Sequence, residues 1–180
     1  MEVIIETEHI ILRNLRLSDV SQKYVDWLND PEINKYLKPT CVSQTMGSCI
    51  DYVRSYEGRD DKALIGVFMK GDGLHIGNVT LSTIDWQNEV GTIGICIGRK
   101  EYTGKGFGKE VISAIVRYCF LRLGLSCLQA YLSANNVKSI NLFEKCGFEI
   151  EKVVKGTKIV NGILQDDYIV SITENIFHQE

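Results

Sequence analysis

The chain has 180 residues, of which 44% are hydrophobic and 24% charged, and its formal net charge at pH 7 is −3. This length suits a single domain, residues 1–180, with a core large enough to fold without a disulfide or a metal. The slightly negative charge argues against general nucleic-acid binding, with a local basic patch as the alternative. No segment approaches the ~20 apolar residues that span a membrane, and the first residues lack the basic start of a secretory signal. We therefore expect a cytoplasmic protein with no nucleic-acid or membrane partner.

The first part of the chain predicts one strand and three helical segments. Apolar residues recur at helical spacing after Asp19, and the Asn-Asp-Pro run at 29–31 breaks that pattern. The predicted elements are strand 10–12, a helix capped by Ser18 or Asp19 that runs to about Asn29, a helical turn over Glu32 to Leu37, and a helix that Ser43 caps.

After residue 62 the apolar pattern changes to that of strands joined by tight turns. The predicted strands are 63–69, 75–84, 90–97, 126–132, 148–154 and 168–173, and the predicted helices are 107–123 and 137–146. The first three of these strands form an antiparallel meander. The order predicts a mixed α/β (α+β) fold, in which helices flank a mostly antiparallel, twisted sheet of about six to seven strands.

The six cysteines and three histidines form no cluster. No two cysteines stand in a Cys-x-x-Cys pair, and four of them lie in apolar runs, so we interpret them as reduced thiols of the core, with a reactive thiol as the alternative. Scattered cysteine and histidine residues do not favour zinc binding, and we predict no metal.

The stretch Tyr102 to Lys109 carries the clearest functional signal. Gly104, Gly106 and Gly108 alternate between the end of a predicted strand and the start of an amphipathic helix. Glycine lets the backbone approach a ligand closely, and a helix N-terminus favours an anion. Lys105 and Lys109 add positive charge that can pair with phosphate oxygens. The segment by itself indicates an anion site, and a flexible loop is the alternative.

Two other phosphate-binding motifs do not fit this stretch. The dinucleotide-binding fingerprint requires glycine where Lys109 stands, and it follows an early strand–helix–strand unit rather than a meander. The P-loop requires a hydroxyl residue after its lysine, whereas Gly106 follows Lys105.

The stretch resembles the coenzyme A pyrophosphate loop of the GNAT acetyltransferase superfamily, whose pattern is Gln/Arg-x-x-Gly-x-Gly/Ala. Residues 103–108 match it, with Thr103 in place of Gln or Arg. A second block, residues 135–148, is similar to the signature Asn-x-x-Ala-x-x-x-Tyr-Glu-Lys-x-Gly-Phe, with Asn136 at the asparagine that contacts the pantetheine arm in the family. Two weaker similarities point to the branch of ribosomal-protein alanine and spermidine acetyltransferases. One combines residues 12–13 with 27–32, and the other combines residues 161–162 with 167–168.

The resemblance implies an acetyl-CoA-dependent N-acetyltransferase with a GNAT-like fold. It also implies that a main-chain N–H near Cys96 or Ile97 stabilises the oxyanion and that the same strand pairs with the pantetheine amides. The residues implied in binding coenzyme A are Ile95, Cys96, Ile97, Thr103, Gly104, Lys105, Gly106, Phe107, Gly108, Lys109, Asn136, Ser139 and Phe143.

The catalytic acid and base of the family do not map cleanly onto this chain. Thr92 stands where relatives carry a glutamate, and Phe143 stands where the family has the tyrosine that protonates the leaving thiolate. Glu89 and Asp85, at the preceding turn, are the candidate bases, with solvated turn carboxylates as the alternative. Solvent is the candidate acid because a thiol with a pKa near ~8.5 leaves readily; Tyr131 or Ser139 is the alternative.

The acceptor is left open by the sequence. The absence of a clear base favours an amine of low pKa, either a nucleotide-linked amino sugar or a protein N-terminus with a pKa near ~8, over a polyamine. We expect acceptor contacts from residues 29–59 and from the hairpin at 160–167. A coenzyme A-binding regulatory domain without turnover, and an α/β scaffold that binds nothing, are the competing hypotheses. The sequence also leaves open whether the protein forms a homodimer.

Overall fold

The structure is a computed structural model, and it describes residues 1–36, 43–160 and 163–174. Its five helices are α1 (Gln22–Asn29), α2 (Pro31–Asn34), α3 (Met46–Arg54), α4 (Phe107–Leu121) and α5 (Val137–Glu144). Its eight strands are β1 (Ile4–Glu6), β2 (Ile10–Asn14), β3 (Ala63–Met69), β4 (His75–Asp85), β5 (Val90–Ile97), β6 (Cys127–Ser133), β7 (Glu149–Val160) and β8 (Ile163–Thr173).

All eight strands form one sheet in the order β1-β2-β3-β4-β5-β6-β8-β7. Every neighbouring pair is antiparallel except β5 and β6, which are parallel and are connected through α4. A parallel pair needs such a crossover because its strands run in the same direction. The predicted mixed α/β fold with a mostly antiparallel sheet is confirmed. The sheet has one strand more than the sequence indicated, because β1 pairs with β2 at the edge.

The two faces of the sheet are covered by different helices. The larger cluster of buried side chains joins α4 to the strands, with Ile112, Ile115 and Cys119 each at most 1% exposed. The smaller cluster lies on the opposite face, where Tyr24 and Trp27 of α1 pack with Leu64 and Phe68 of β3 and with α3. The strands between these layers therefore have one face toward α4 and the other toward the side of α1 and α3.

Helix α1 begins later than the sequence predicts. Ser21 is its N-cap, and the Ser21 hydroxyl accepts a hydrogen bond from the main-chain N–H of Tyr24. Asp19 is not available as a cap because its carboxylate accepts two bonds from the Arg13 guanidinium, at 2.7 and 2.8 Å, and one from the main-chain N–H of Arg16. Burial raises the pKa of Asp19, but these hydrogen bonds outweigh it and hold that pKa below its ordinary value.

Helices α2 and α3 also differ from their predicted starts. Asp30 caps α2 through the main-chain N–H of Glu32, and Thr45, rather than Ser43, caps α3 through Ser48. The predicted end of the first helical turn at Leu37, the thiol of Cys41 and the predicted hairpin turn at 161–162 lie outside the described residues.

The cysteines among the described residues carry free thiols. Cys49, Cys119 and Cys146 are buried, whereas Cys96 and Cys127 are partly exposed. Burial raises the pKa of the Cys119 thiol to about 12, so this thiol stays protonated at neutral pH and is a poor nucleophile. The interpretation as thiols of the core therefore fits Cys49, Cys119 and Cys146, whereas Cys96 and Cys127 lie at its margin. Within the described ranges, no helix is both long and apolar enough to cross a membrane.

Candidate functional site

The sheet contains a gap where β5 and β6 separate. The two strands pair only through Val90 with Cys127, Gly91 with Leu128 and Thr92 with Gln129. Beyond this point β5 stays paired with β4 to Ile97, and β6 stays paired with β8 to Ser133. In the described structure, residues 93–97 and 130–133 thus face each other without a shared ladder. Their inner edges offer main-chain N–H and C=O groups to an extended ligand, in the same way as edge strands do.

The glycine loop, residues 103–108, lies at the open end of this gap. Gly106 is the N-cap of α4, and it has a positive φ of 93°, while Gly104 has a φ of 72°. Only glycine adopts such angles at little cost. The first main-chain N–H groups of α4, at residues 107–109, have no acceptor within the helix because of their position. The loop and the helix N-terminus together have the geometry that favours an anion, and the anion site stays a prediction.

The other residues of the loop, Thr103, Lys105 and Gly108, and the adjacent Lys109 differ in their surroundings. A Cβ on Gly108 would lie 2.9 Å from Cδ2 of Leu142, so this glycine allows α4 and α5 to pack closely. The Thr103 hydroxyl donates to the main-chain oxygen of Lys100 at 2.7 Å, which closes the turn before the loop. Lys105 and Lys109 are exposed, and the Lys105 ammonium lies 5.8 Å from the Tyr102 ring centroid.

The second predicted block lies on the other side of the gap. Asn136 is the N-cap of α5, and its side-chain oxygen accepts a hydrogen bond from the main-chain N–H of Ser139 at 3.2 Å. Asn136 and Ser139 thus follow the end of β6, opposite the glycine loop at the end of β5. Phe143 is only 1% exposed and packs edge-on against Phe148 at 4.9 Å between ring centroids. Phe143 therefore shapes the wall through the core and presents almost no surface to a ligand.

The three strand residues predicted to hold coenzyme A line the β5 side of the gap. Ile95 and Ile97 pair with Val79 and Gly77 of β4, and Cys96 pairs with Asn78. Ile95 packs toward the α4 core, so Cys96 points to the opposite face. Burial raises the pKa of the Cys96 thiol to about 12, so it remains a neutral wall residue at physiological pH.

The two predicted bases lie at the closed end of the gap. Glu89 directly precedes β5, and its main-chain oxygen accepts a hydrogen bond from the N–H of Ser126 at 2.8 Å. Seven strand steps separate Glu89 from Cys96, which corresponds to ~23 Å at ~3.3 Å per residue. Asp85 accepts hydrogen bonds from the side chain and main chain of Asn88 and from the main chain of Gln87, which hold its pKa below the ordinary range. The structure therefore does not bring either carboxylate together with the open part of the gap.

Tyr131, by contrast, lies in the open part. It follows Gln129 by two residues on β6, and its side chain is 60% exposed. Its neighbours Ala130 and Leu132 belong to the α4 core, so the Tyr131 ring points to the opposite face. Of the three residues predicted to be catalytic, only Tyr131 is on the wall of the gap.

Tyr131 belongs to a set of polar side chains on that same face, which we call the polar ledge and which sequence reasoning did not identify as a set. Val79, Leu81 and Ile93 point into the α4 core, so their neighbours on β4 and β5 point away from it. The ledge comprises Asn78, Thr80, Ser82, Thr92, Gln129, Tyr131 and Ser133. The alternation of polar and apolar residues from 78 to 82 is the signal that could have revealed it.

Buried polar groups support one end of the ledge. The Asn78 side chain hydrogen-bonds the Tyr24 hydroxyl and lies 2.8 Å from Nε2 of His75. Nε2 also lies 3.0 Å from the main-chain oxygen of Gly77, so two acceptors place the ring proton on this nitrogen. Burial lowers the pKa of His75, and the ring stacks on Phe68 at 4.8 Å. His75 is thus neutral at physiological pH and positions Asn78.

Comparison with known proteins agrees with this arrangement. Residues 9–149 match the family model described as the acetyltransferase (GNAT) domain. The uncharacterized N-acetyltransferase p20 of Bacillus licheniformis is 28% identical over 171 residues, which span 92% of this chain and 93% of that protein. The uncharacterized N-acetyltransferase YoaA of Bacillus subtilis is 30% identical over 184 residues, with 95% and 97% of the two chains covered.

A solved structure shows the same architecture. The spermidine N-acetyltransferase from Vibrio cholerae, in complex with CoA and spermine, superposes with a TM-score of 0.86 at 22% identity. The superposition covers 96% of this chain and 99% of that chain. A likeness at this identity establishes the fold alone.

Proposed function

Because the chain belongs to the GNAT acetyltransferase family, it is an N-acetyltransferase that uses acetyl-CoA, and we propose that its acceptor amine enters from the polar ledge. The observation that carries this proposal is the separation of β5 from β6 beyond Thr92 and Gln129, with the glycine loop at the open end. The proposal includes residues 1–180 as a single catalytic domain that acts in the cytoplasm.

The walls of the gap fit acetyl-CoA chemically. Positive φ values at Gly104 and Gly106 and the first turn of α4 supply N–H donors for a pyrophosphate. The unshared edges at 93–97 and 130–133 supply donors and acceptors for the amides of a pantetheine arm. The proposed contacts are those that the resemblance implied, with Phe143 acting through packing rather than through direct contact.

Acetyl-CoA supplies an acetyl group that is activated as a thioester. The protein contributes position and hydrogen bonding. A main-chain N–H of Cys96 or Ile97 is the proposed donor to the carbonyl oxygen as negative charge develops there, which is the usual role of an oxyanion hole. The polar ledge orients the amine so that its nitrogen faces the carbonyl carbon.

The proton of the amine goes to solvent in this proposal. Glu89 and Asp85 are too far from Cys96 to accept it directly. Tyr131, whose ring is in the open part of the gap, is the proposed donor to the departing sulfur or to a water next to it. With neither of these two carboxylates within reach, the reaction favours an amine that is already partly neutral at pH 7.

We propose an amino sugar linked to a nucleotide, or a protein N-terminus, as the acceptor class. The ledge consists of hydroxyl, amide and phenol groups, which hydrogen-bond to a sugar or a peptide but give no charge partner to a polyamine. Two carboxylates on this side of the sheet have partners of their own: Glu151 accepts from the ledge residue Gln129 at 3.0 Å, and Asp30 pairs with Lys100 at 2.9 Å.

A polyamine is the second candidate. It is favoured by the superposition with the spermidine N-acetyltransferase of Vibrio cholerae over nearly the whole chain. Its amines have pKa values near ~10, so this candidate requires a base that removes a proton from the amine, and Glu89 and Asp85 are too far from Cys96 to do so directly.

Acceptor profiling separates the two candidates. Thiol release from acetyl-CoA is measured with an amino-sugar nucleotide, a peptide with a free N-terminus, and spermidine, at pH 6 to 10. The proposal predicts a higher kcat/KM for one of the first two, with a rate that rises only to the pKa of that amine. The highest kcat/KM for spermidine would instead establish the second candidate.

A substitution on the ledge tests the direction of entry. Thr92→Val removes one hydroxyl at nearly constant volume, and we expect a KM for the acceptor about 3- to 10-fold higher, the equivalent of one hydrogen bond. Thr7→Val is the matched control, because the Thr7 hydroxyl donates to the main-chain oxygen of Ile10 between β1 and β2, at the edge of the sheet away from the gap. Equal KM values for the two variants would contradict entry from the ledge.

A further inference from the structure

Residues 30–36, which we call the strap, connect the two sides of the gap. At one end, the Lys100 ammonium lies 2.9 Å from the Asp30 carboxylate and 2.7 Å from that of Glu32. At the other end, the Tyr36 hydroxyl donates to the main-chain oxygen of Asn135 at 3.1 Å. Lys100 follows β5 and Asn135 follows β6. Since these are the two strands that separate, the strap spans the open end of the gap.

The base of the strap is held by steric fit. A Cβ on Gly98 would lie 1.0 Å from Cε3 of Trp27, so the indole of α1 fills the space that a side chain at 98 would occupy. Asn29 exchanges two hydrogen bonds with the main chain of Gln44, at 2.7 and 2.9 Å. Residues 27–32 are therefore held against 98–100, the segment that leads from β5 to the glycine loop.

We propose that the strap holds the acceptor amine over the open gap, with Lys100 and Tyr36 as positioning residues. This inference rests on the proposed function. α4 packs against one face of the sheet, so an acceptor must approach from the other face, where α1 and the strap lie. A segment fastened at both ends confines the acceptor and raises its effective concentration at the acetyl group. Loosening either fastening raises the KM for the acceptor more than it changes kcat.

The fastenings are tested by kinetics with matched variants. Lys100→Met removes both ion pairs at similar volume, and Tyr36→Phe removes only the hydroxyl. Lys70→Met is the control, because the Lys70 ammonium pairs with Glu6 at 3.2 Å, where β1 meets the β3–β4 turn. The acceptor is the best substrate of the panel of amines described above.

For Lys100→Met we expect the KM for the acceptor to rise about 3- to 10-fold, as suits two exposed ion pairs. We expect kcat and the KM for acetyl-CoA to stay within about twofold, because the chemistry itself does not use Lys100. Lys100→Arg keeps the charge and should restore most of the wild-type KM. An acceptor KM that is unchanged in both Lys100→Met and Tyr36→Phe, or that rises equally in Lys70→Met, would overturn the proposal.

Hydrogen exchange separates failure of the strap from failure of the proposed function. Exchange of the main-chain amides of residues 32–36 is measured in the ligand-free protein, where no acetyl transfer is needed. Exchange that is about 3- to 10-fold faster in Lys100→Met than in Lys70→Met supports the fastening of the strap. This holds even if no amine of the panel is acetylated, a result that would refute the proposed function and not the fastening. Equal exchange in the two variants overturns the strap whatever the activity.

Discussion

Replacing Gly106 by alanine tests the anion site at the start of α4. Gly106 has a φ of 93° and a ψ of −17°, and an added Cβ would meet no heavy atom within 4 Å. The substitution therefore causes no clash, and its cost is backbone strain of roughly 1–3 kcal/mol. The protein can keep the strain and lose stability, or it can relax the loop and turn the N–H groups of residues 107–109 away from the ligand.

The two consequences have measurable sizes. A loss of ~1–2 kcal/mol at this chain length lowers Tm by about 2–8 °C. Each hydrogen bond from an N–H to a charged phosphate contributes about 1.5–3 kcal/mol, so redirecting one of them weakens coenzyme A binding about 10- to 100-fold. Calorimetric titration of coenzyme A gives the Kd, and a thermal melt without ligand gives Tm.

Gly58→Ala is the matched control for this test. Gly58 also has a positive φ, of 68°, and an added Cβ there would again meet nothing within 4 Å, but it lies in the turn after α3. We expect a similar fall in Tm and an unchanged Kd for coenzyme A. If Gly106→Ala binds coenzyme A as tightly as Gly58→Ala does, the start of α4 does not hold the pyrophosphate.

Three further substitutions test the support of the site. Burial lowers the pKa of His75, so the unfolded chain binds a proton at this histidine more readily than the folded protein does. The free energy of unfolding of the wild type should therefore fall as pH drops below about 6.5, and His75→Gln should reduce the slope of that fall. Equal slopes for the two proteins would refute a buried neutral ring. Asp19→Asn should cost ~1–3 kcal/mol in denaturant unfolding at pH 7 through its lost bonds to arginine. Because the pKa of Asp19 is lowered, this difference should shrink as pH falls below about 3.8 and into the range of its folded pKa; a constant difference would contradict the pairing. Gly98→Ala places a Cβ 1.0 Å from Trp27 and should lower the free energy of unfolding by ~1–3 kcal/mol. Gly71→Ala, whose added Cβ would meet nothing within 4 Å, should not lower it. Equal Tm values for the two variants would argue against the steric fit.

The elements with strong apolar periodicity could be predicted from the sequence. The strand at 63–69 was predicted with its observed bounds, because its apolar run is buried on both faces. The strand at 90–97 was also predicted as observed, and the long helix from Phe107 differs by two residues at its end. Local pattern suffices for these elements because burial and periodicity coincide along them.

Elements that depend on long-range pairing were less predictable. β1 was missed because it is three residues long, with Ile4 63% exposed, and only its register with β2 makes it a strand. β7 and β8 run longer than predicted, since bulges at Ile150 to Lys152 and at Val154 to Lys158 interrupt the alternation that a pattern search uses.

The candidate site was predictable in part. The glycine loop and the block at Asn136 carry local motifs, and the structure places them at the ends of β5 and β6. Glu89 was proposed because it is near β5 in sequence, but the direction of the strand puts it at the closed end of the gap. The polar ledge is assembled from three strands that only the sheet topology brings together, so the alternation from 78 to 82 indicates just the part of it on β4.

One measurement tests the central claim most directly: the release of free thiol from acetyl-CoA by the purified protein, with and without each amine of the panel, together with the mass of the amine product. The account predicts that one amine stimulates thiol release and gains one acetyl group per thiol released. A protein that binds acetyl-CoA, as shown by a raised Tm, but releases no thiol with any amine would contradict it and would support a coenzyme A-binding regulatory domain instead.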